Sequence, residues 1–257
     1  LCDAHDGSPI KRHDLGSAAL GRGPIEWEDR SIITQRFVRQ AVKFIDSPAA
    51  SAKPFYINLW PDDVHSPFYP PQALRGDAQK RTLYHGVLKE MDNQLGELFD
   101  RIRNDPVLRD NTLILVASDN GPEPGAGDSS PLRGVKGQLY EGGIRSPLIV
   151  WGPGLVAPTA AGTINQTTIA SSVDLVASLI GLCNVSAPDD YRSDGEDLLD
   201  VFLGRSDRQR STPLFWRRPP DRPGTRAEPY PDLAIREGDL GCDYRCGTRT
   251  SGQWGVT

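Results

Sequence analysis

Between Asn111 and Trp151 the chain carries a pattern that few architectures accept. Thr112-Leu113-Ile114-Leu115-Val116-Ala117 is an aliphatic run with no polar alternation after Thr112. Such a run reads as a strand buried on both faces, the kind found in parallel sheets covered by helices. It breaks at once into Ser118-Asp119-Asn120-Gly121, crosses a Gly/Pro-rich loop from Pro122 to Pro131, and continues through Leu132-Arg133-Gly134-Val135-Lys136-Gly137. After Tyr140-Glu141-Gly142-Gly143-Ile144-Arg145-Ser146-Pro147 it enters a second apolar run, Leu148-Ile149-Val150-Trp151. In open α/β sheets, ligands bind beyond the carboxyl ends of strands, which is where Asp119 and Asn120 fall.

The residue types at that end have a definite chemistry. Asp119 and Asn120 carry side-chain oxygens, which suit a hard cation such as Ca²⁺ or Mg²⁺. Gly121 lets the chain turn sharply behind them. Lys136 stands between Gly134 and Gly137 with little bulk around it, so its ammonium can meet an anionic oxygen as a compact point charge. Taken singly, Asp-Asn-Gly is an ordinary strand-ending turn and a Gly-flanked lysine is a solvated loop residue. It is their succession within one loop that is specific.

Bulk properties leave an ordinary globular domain. The chain has 257 residues, 37% hydrophobic and 25% charged, enough for one large α/β domain or two small ones. A net charge of −5 gives no basis for a nucleic-acid-binding surface. No stretch approaches the roughly 18 consecutive apolar residues of a membrane span. Leu1 to Asp6 do not read as a signal peptide. The four cysteines, Cys2, Cys183, Cys242 and Cys246, have neither zinc-ribbon nor dense disulfide spacing. Cys183, inside Leu179-Ile180-Gly181-Leu182-Cys183, reads as a buried small hydrophobe, and Cys242 and Cys246 could pair.

Residues 1–27 read as an entering loop. A helix is expected from Asp29, with Ile33, Phe37, Val38, Ala41, Phe44 and Ile45 on its apolar face, ending before Ser47-Pro48. Ser47 to Pro54 reads as a linker. Phe55-Tyr56-Ile57-Asn58-Leu59-Trp60 reads as a central strand that ends in Pro61-Asp62-Asp63-Val64-His65-Ser66-Pro67. A long helix is expected over about 78–103 with Leu83, Val87, Leu88, Met91, Leu95, Leu98, Phe99 and Ile102 as its buried stripe. Val173 to Ile180 reads as a helix ended by Gly181, with Asp174 in its first turn. Thr212 to Trp216 reads as a strand, and the Arg/Pro-rich stretch 217–231 as an irregular loop.

The segment from Asn111 to Val150 resembles the sulfatase family, the type I, arylsulfatase-like enzymes of the alkaline phosphatase superfamily. The shared signature is Ser-Asp-Asn-Gly followed by Leu-Arg-Gly-x-Lys-Gly-x-x-Tyr-Glu-Gly-Gly-Ile-Arg-x-Pro-Leu-Ile-Val. Further matches are Pro54-Phe55 with His65-x-Pro67, the helix motif from Tyr84 to Asp92, the turn Asp194 to Leu198, and the strand Leu233 to Asp239. The resemblance thus covers about residues 28–239 in segments. It implies an α/β fold with a mostly parallel central sheet flanked by helices. Residues 1–210 would be the central and later part of the catalytic domain, and 211–257 the start of a small C-terminal subdomain. The final 18 residues lose the likeness; a frameshift or truncation is one hypothesis for them, and resequencing that reads the same frame cleanly would exclude it.

By resemblance the reaction is sulfate-ester hydrolysis. Asp119 and Asn120 become metal ligands for Ca²⁺ or Mg²⁺, Lys136 a sulfate ligand, and His65 the group that assists the leaving oxygen. Asp62 and Asp63 become loop carboxylates, and Asp92 and Asn93 helix-surface residues. Arg133, Glu141 and Arg145 become partners that hold the loop. The implied substrate is a sulfated small molecule or polysaccharide, and the implied setting periplasmic or secreted. The family's nucleophile, a formylglycine made from Cys or Ser in Cys/Ser-x-Pro/Ala-x-Arg, has no counterpart here, and its N-terminal Asp-Asp metal pair is also missing. The chain therefore reads as the middle and later part of a sulfatase, not competent alone. The alternatives are a phosphodiesterase or phosphonate monoester hydrolase of the same superfamily, or a non-catalytic fragment or homologue.

Overall fold

In the computed structural model of the chain, residues 29–47, 50, 53–186, 188–218, 224, 230–238, 240–245 and 253–256 are described. The fold is α/β. It divides into two compact units, one within residues up to Asn104 together with Gly125–Gly127, the other comprising Asp105–Pro124 and the chain from Asp128. No helix among the described residues is long and apolar enough to cross a membrane.

The first unit is built on two helices. Asp29 caps the entry, its Oδ1 accepting from Ser31 N at 2.8 Å and Ser31 Oγ at 2.9 Å. A 3₁₀ turn, Arg30–Ile32, leads into α1, Ile33–Ile45. Its buried positions are Thr34, Val38, Ala41 and Ile45, one stripe at helical spacing. Phe37 and Phe44, expected on that face, flank it and stay exposed; Phe44 packs edge-on against Phe55 instead, centroids 5.7 Å apart. The second helix, α2, runs Lys80–Arg103 and packs on α1. Leu83, Val87, Leu98 and Ile102 are buried as expected, while Leu88 is exposed. A buried amide crosses between the helices: Gln94 Oε1 accepts from Gln35 N at 2.8 Å and its Nε2 donates to Ser31 O at 2.6 Å. With its polar atoms bonded, this side chain avoids the cost of an orphaned buried amide. A second cluster joins Phe68, Leu83, Val87 and Ala126, with Val64 and Tyr84 against it.

Phe55–Trp60 forms no strand, contrary to expectation. Phe55, Ile57 and Leu59 are half-buried, while Tyr56 and Trp60 are 66% and 73% exposed. The run has the period of an extended chain resting on one face. It has no ladder partner among the described residues, and without cross-strand hydrogen bonds it is not a sheet member.

In the second unit Asp105 caps a short helix, α3, Pro106–Asp110, by accepting from Val107 N at 3.0 Å and Leu108 N at 3.2 Å. Then comes β1, Ile114–Ala117, which pairs with β2, Leu148–Trp151, in the register Ile114↔Trp151 to Ala117↔Leu148. This pairing is antiparallel, not the parallel arrangement expected, and Val116 and Ile149 are exposed. A parallel return needs a crossover that runs back the length of the strand, usually a helix of a dozen residues or so. The connection from 118 to 147 holds only α4, Glu141–Ile144, so the chain doubles back.

Helix α5, Ser172–Leu182, begins with a reciprocal capping box between Ser171 and Asp174. It runs through Gly181, the expected stop, to Leu182, with Cys183 at the C-cap in αR geometry. Cys183 therefore leaves the buried face and is exposed as a free thiol, not a core residue. After α6, Leu199–Phe202, strands β3 (Leu214–Arg217), β4 (Leu233–Glu237), β5 (Leu240–Arg245) and β6 (Gln253–Val256) form an antiparallel meander. Leu198, Phe202, Leu203, Leu214 and Ala234 are buried in this unit. Cys2 and Cys246, and with Cys246 the suggested Cys242 pairing, lie outside the described residues.

The hub of the second unit is polar. Asp174 is fully buried, and its carboxylate accepts from Ser171 N and Glu196 N at 2.7 Å each. Arg210 grips the same carboxylate with Nε at 3.2 Å and Nη2 at 3.0 Å. Such a fork pairs a buried charge and fills its lone pairs together. Burial pushes the neighbouring Glu196 carboxyl up, but hydrogen bonds from Ser211 N and the Thr212 hydroxyl and amide outweigh it and bring the carboxyl down to about 2.

Candidate active site

The loop that leaves β1 is stitched to itself through its backbone. Ser118 Oγ donates to Asn120 O at 2.8 Å, and Ser146 Oγ donates to Ser118 O at 2.8 Å. Gly121 N donates to Gly143 O at 2.9 Å, and Lys136 N donates to Pro122 O at 2.9 Å. The second bond matters most for chemistry, because it fixes the Lys136 backbone against the segment two residues beyond Asn120. Gly134 and Gly137 bracket the lysine at φ +92° and +88°, left-handed positions that glycine takes without a Cβ penalty.

Three sequence-selected residues thus share one loop of the second unit. Asp119 is exposed and Asn120 half-buried. Among the described residues no hydrogen bond or ion pair engages the Asp119 carboxylate or the Asn120 side-chain amide. Lys136 is 27% exposed, with Nζ 4.0 Å from Glu123 Oε2. Glu123 was not among the residues expected from sequence, since a glutamate in a Gly/Pro loop has no period or motif to mark it.

The donor set tests the implied cation. Two uncommitted oxygen-bearing side chains are the right kind of ligand for Ca²⁺ or Mg²⁺. They cover at most about three of the roughly six to eight oxygens that Ca²⁺ takes. Among the described residues no group of three or more His, Cys, Asp or Glu side chains gathers to complete such a set. Asp119 and Asn120 therefore fit in kind as part of a cation site.

The residues expected to hold the loop do so. Arg133 stacks its guanidinium 4.1 Å from the centroid of Tyr140. Glu141 Oε2 receives Arg145 Nη1 at 3.6 Å and Arg236 Nη1 at 2.6 Å. The Arg236 contact was not visible in sequence.

His65 belongs to the first unit and is exposed. Its backbone is fixed by His65 N on Asp62 O at 3.1 Å and by Arg30 Nη2 on His65 O at 2.8 Å. Its Nδ1 lies 2.7 Å from Ser66 O. A carbonyl only accepts, so Nδ1 carries hydrogen and Nε2 is the atom left for other chemistry. Asp62 and Asp63 are structural: Asp62 pairs with Arg30 at 2.9 Å, and Asp63, 2% exposed, accepts from the Thr34 hydroxyl. Burial pushes the Asp63 carboxyl up, against the opposing effect of that hydrogen bond.

Comparison with known proteins bears on this loop. The Sulfatase family model matches residues 16–185. N-acetylgalactosamine-6-sulfatase of Canis lupus familiaris is 31% identical over 192 residues, covering 72% of this chain and 35% of its own length. Arylsulfatase G of Mus musculus is 30% identical over 190 residues, covering 68% of this chain and 34% of its own. Among solved structures, Ps i-CgsB in complex with k-i-k-neocarrahexaose matches with a TM-score of 0.72 at 26% identity, over 91% of this chain and 50% of that one. The chain thus spans about a third of the length of the curated relatives it matches.

Proposed function

The chain belongs to the sulfatase family, and from that membership we propose that the protein it represents hydrolyses sulfate esters, with the β1 loop as one wall of its site. The observation that carries the reading is the stitched loop, which holds Lys136 against the segment following two uncommitted oxygen ligands, Asp119 and Asn120. A sulfate ester is a tetrahedral oxyanion, and an ammonium beside cation-binding oxygens is the electrostatic complement of such a group.

In this reading Lys136 Nζ binds a sulfate oxygen and gains hold on it as charge moves there in the transition state. The fixed backbone means that little reorganisation accompanies that gain. Asp119 and Asn120 hold part of a Ca²⁺ or Mg²⁺ coordination shell; the ion, when bound, supplies neutralisation of sulfate charge and orientation of the nucleophile. His65 serves the leaving oxygen. With Nδ1 committed to Ser66 O, a proton for that oxygen comes from Nε2 of the imidazolium form. None of the four cysteines stands in the formylglycine motif, so the chain alone is not expected to turn over.

The substrate class proposed is a sulfated glycan. Support comes from the relatives: one is named for N-acetylgalactosamine-6-sulfate, and one solved neighbour was crystallised with a neocarrahexaose. The test is sulfate release by the full-length protein from 4-nitrophenyl sulfate and from sulfated oligosaccharides, beside 4-nitrophenyl phosphate diesters. Preferential sulfate release supports the reading. Preferential cleavage of the diester would move the protein to the phosphodiesterase side of the superfamily.

A further inference from the structure

Arg236 lies on β4, far in sequence from the loop after β1, yet its Nη1 meets Glu141 Oε2 at 2.6 Å. The contact is well enclosed: the two side chains are 17% and 14% exposed. The guanidinium is held from its other side by Nε donating to Gly238 O at 3.1 Å. Arg145 also reaches Glu141, at 3.6 Å, but its side chain is 61% exposed and the pairing looser. Arg236 is therefore the partner that fixes the carboxylate.

Glu141 opens α4, and the two glycines after it pack backbone on backbone against the loop. Gly142 N donates to Arg133 O at 2.7 Å, and Gly143 O accepts from Gly121 N at 2.9 Å. A Cβ at Gly121 would stand 1.9 Å from Gly142 O, and one at Gly142 would stand 2.3 Å from Gly134 O. At Gly143 it would stand 2.1 Å from Gln138 O. Atoms this close cannot slide independently, because an interior at contact density transmits displacement. Gly121 adjoins Asn120, and Gly134 and Gln138 bracket Lys136. Any shift of Glu141 to Gly143 is thereby a shift of the groups beside Asn120 and Lys136.

We propose that Arg236, acting through Glu141, is a positioning residue for the loop that carries Asn120 and Lys136, an assignment that rests on reading this loop as the sulfate-ester site. The four-stranded sheet is thus the anvil for the β1 loop. Arg236 itself bonds Glu141 and Gly238, not Lys136. Its effect is to keep the ammonium and the oxygen ligands within the narrow geometry that catalysis needs.

The experiment uses the full-length protein with Arg236→Ala, Arg236→Lys and Glu141→Gln, and reads amide hydrogen exchange and kinetics together. Arg236→Ala is expected to speed exchange about tenfold or more across residues 118–145 while peptides of α2 keep their protection. It is expected to lower kcat about 10- to 100-fold, with KM changed less than about threefold, as for groups that hold a ligand from behind. Arg236→Lys, which keeps the charge, recovers part of both. In a double variant with Lys136→Ala, loss of Arg236 costs less than it does alone, because part of its effect on the rate acts through that ammonium. Unchanged exchange over 118–145, or losses that multiply in the double variant, would overturn the assignment. If Arg236→Ala fails to fold, Arg236→Lys and Glu141→Gln decide by the same two readouts. If the unaltered protein releases no sulfate, the sulfate-ester reading fails, and exchange still decides whether Arg236 holds the loop.

Discussion

The ammonium of Lys136 stands 4.0 Å from the Glu123 carboxylate, on the same loop and with both side chains largely covered. The pair orients the lysine, and it also competes with any anion the lysine is to bind. A partly exposed pair of this kind is worth about 0.5–1 kcal/mol. Glu123→Gln keeps the shape and removes the competing charge. Inhibition by inorganic sulfate should then tighten about two- to fivefold. Weaker or unchanged inhibition would mean that Glu123 supports anion binding.

His65 offers a test through leaving groups. If Nε2 protonates the departing oxygen, His65→Ala should slow an alkyl or sugar sulfate by about 10²- to 10⁴-fold. It should slow 4-nitrophenyl sulfate far less, since nitrophenolate leaves without help. Equal losses on both substrates would assign His65 to binding.

The Asp174–Arg210–Glu196 hub predicts a stability effect and a pH dependence. Arg210→Ala leaves a fully buried carboxylate without its cation and should cost about 3–5 kcal/mol in denaturant unfolding. Asp174→Asn with Arg210→Met together should cost less than the sum of the single changes. Glu196 is held at about 2, against an ordinary value of 4.5. Its contribution to stability is complete above about 4.5 and is lost as pH falls through about 2. Glu196→Gln should flatten the acid limb of the stability profile between those values and leave its neutral limb sloped as before.

Two glycines predict opposite signs. Gly96 lies inside α2 with nothing within 4 Å of a built Cβ. Gly96→Ala should stabilise by about 0.5–1 kcal/mol, since alanine fixes less chain entropy on entering a helix. Gly142→Ala drives a methyl to 2.3 Å from Gly134 O and should destabilise the β1 loop. Thermal unfolding reads the first, and exchange over 118–145 the second.

The parts of this fold legible in sequence were those set by local pattern. The long helix α2 followed from the spacing of Leu83, Val87, Leu98 and Ile102, and the first turn of α5 from Asp174, whereas its cap on Ser171 did not. Asp119, Asn120 and Lys136 stood out because strand end, turn glycine and Gly-flanked lysine fall in succession. Features decided at long range escaped. Phe55–Trp60 has a strand's composition but no ladder among the described residues. Thr112–Ala117 resembles a parallel strand, but the short α4 leaves no crossover to carry one. Gly181 stays inside the helix, which runs on to Leu182, and Cys183 at its C-cap is exposed. Arg210 on Asp174 and Arg236 on Glu141 join residues 36 and 95 positions apart, where no periodicity points from one to the other.

The measurement to make first is sulfate release from 4-nitrophenyl sulfate by the full-length protein, unaltered and with Lys136→Ala. The unaltered protein should turn over, and Lys136→Ala should lower kcat about 10²- to 10³-fold, the loss expected for removing one charge-stabilising donor. Lys136→Arg should not restore the rate, because a planar fork replaces a point charge. Full activity in Lys136→Ala, with the protein folded, would contradict the assignment of this loop as the sulfate-ester site.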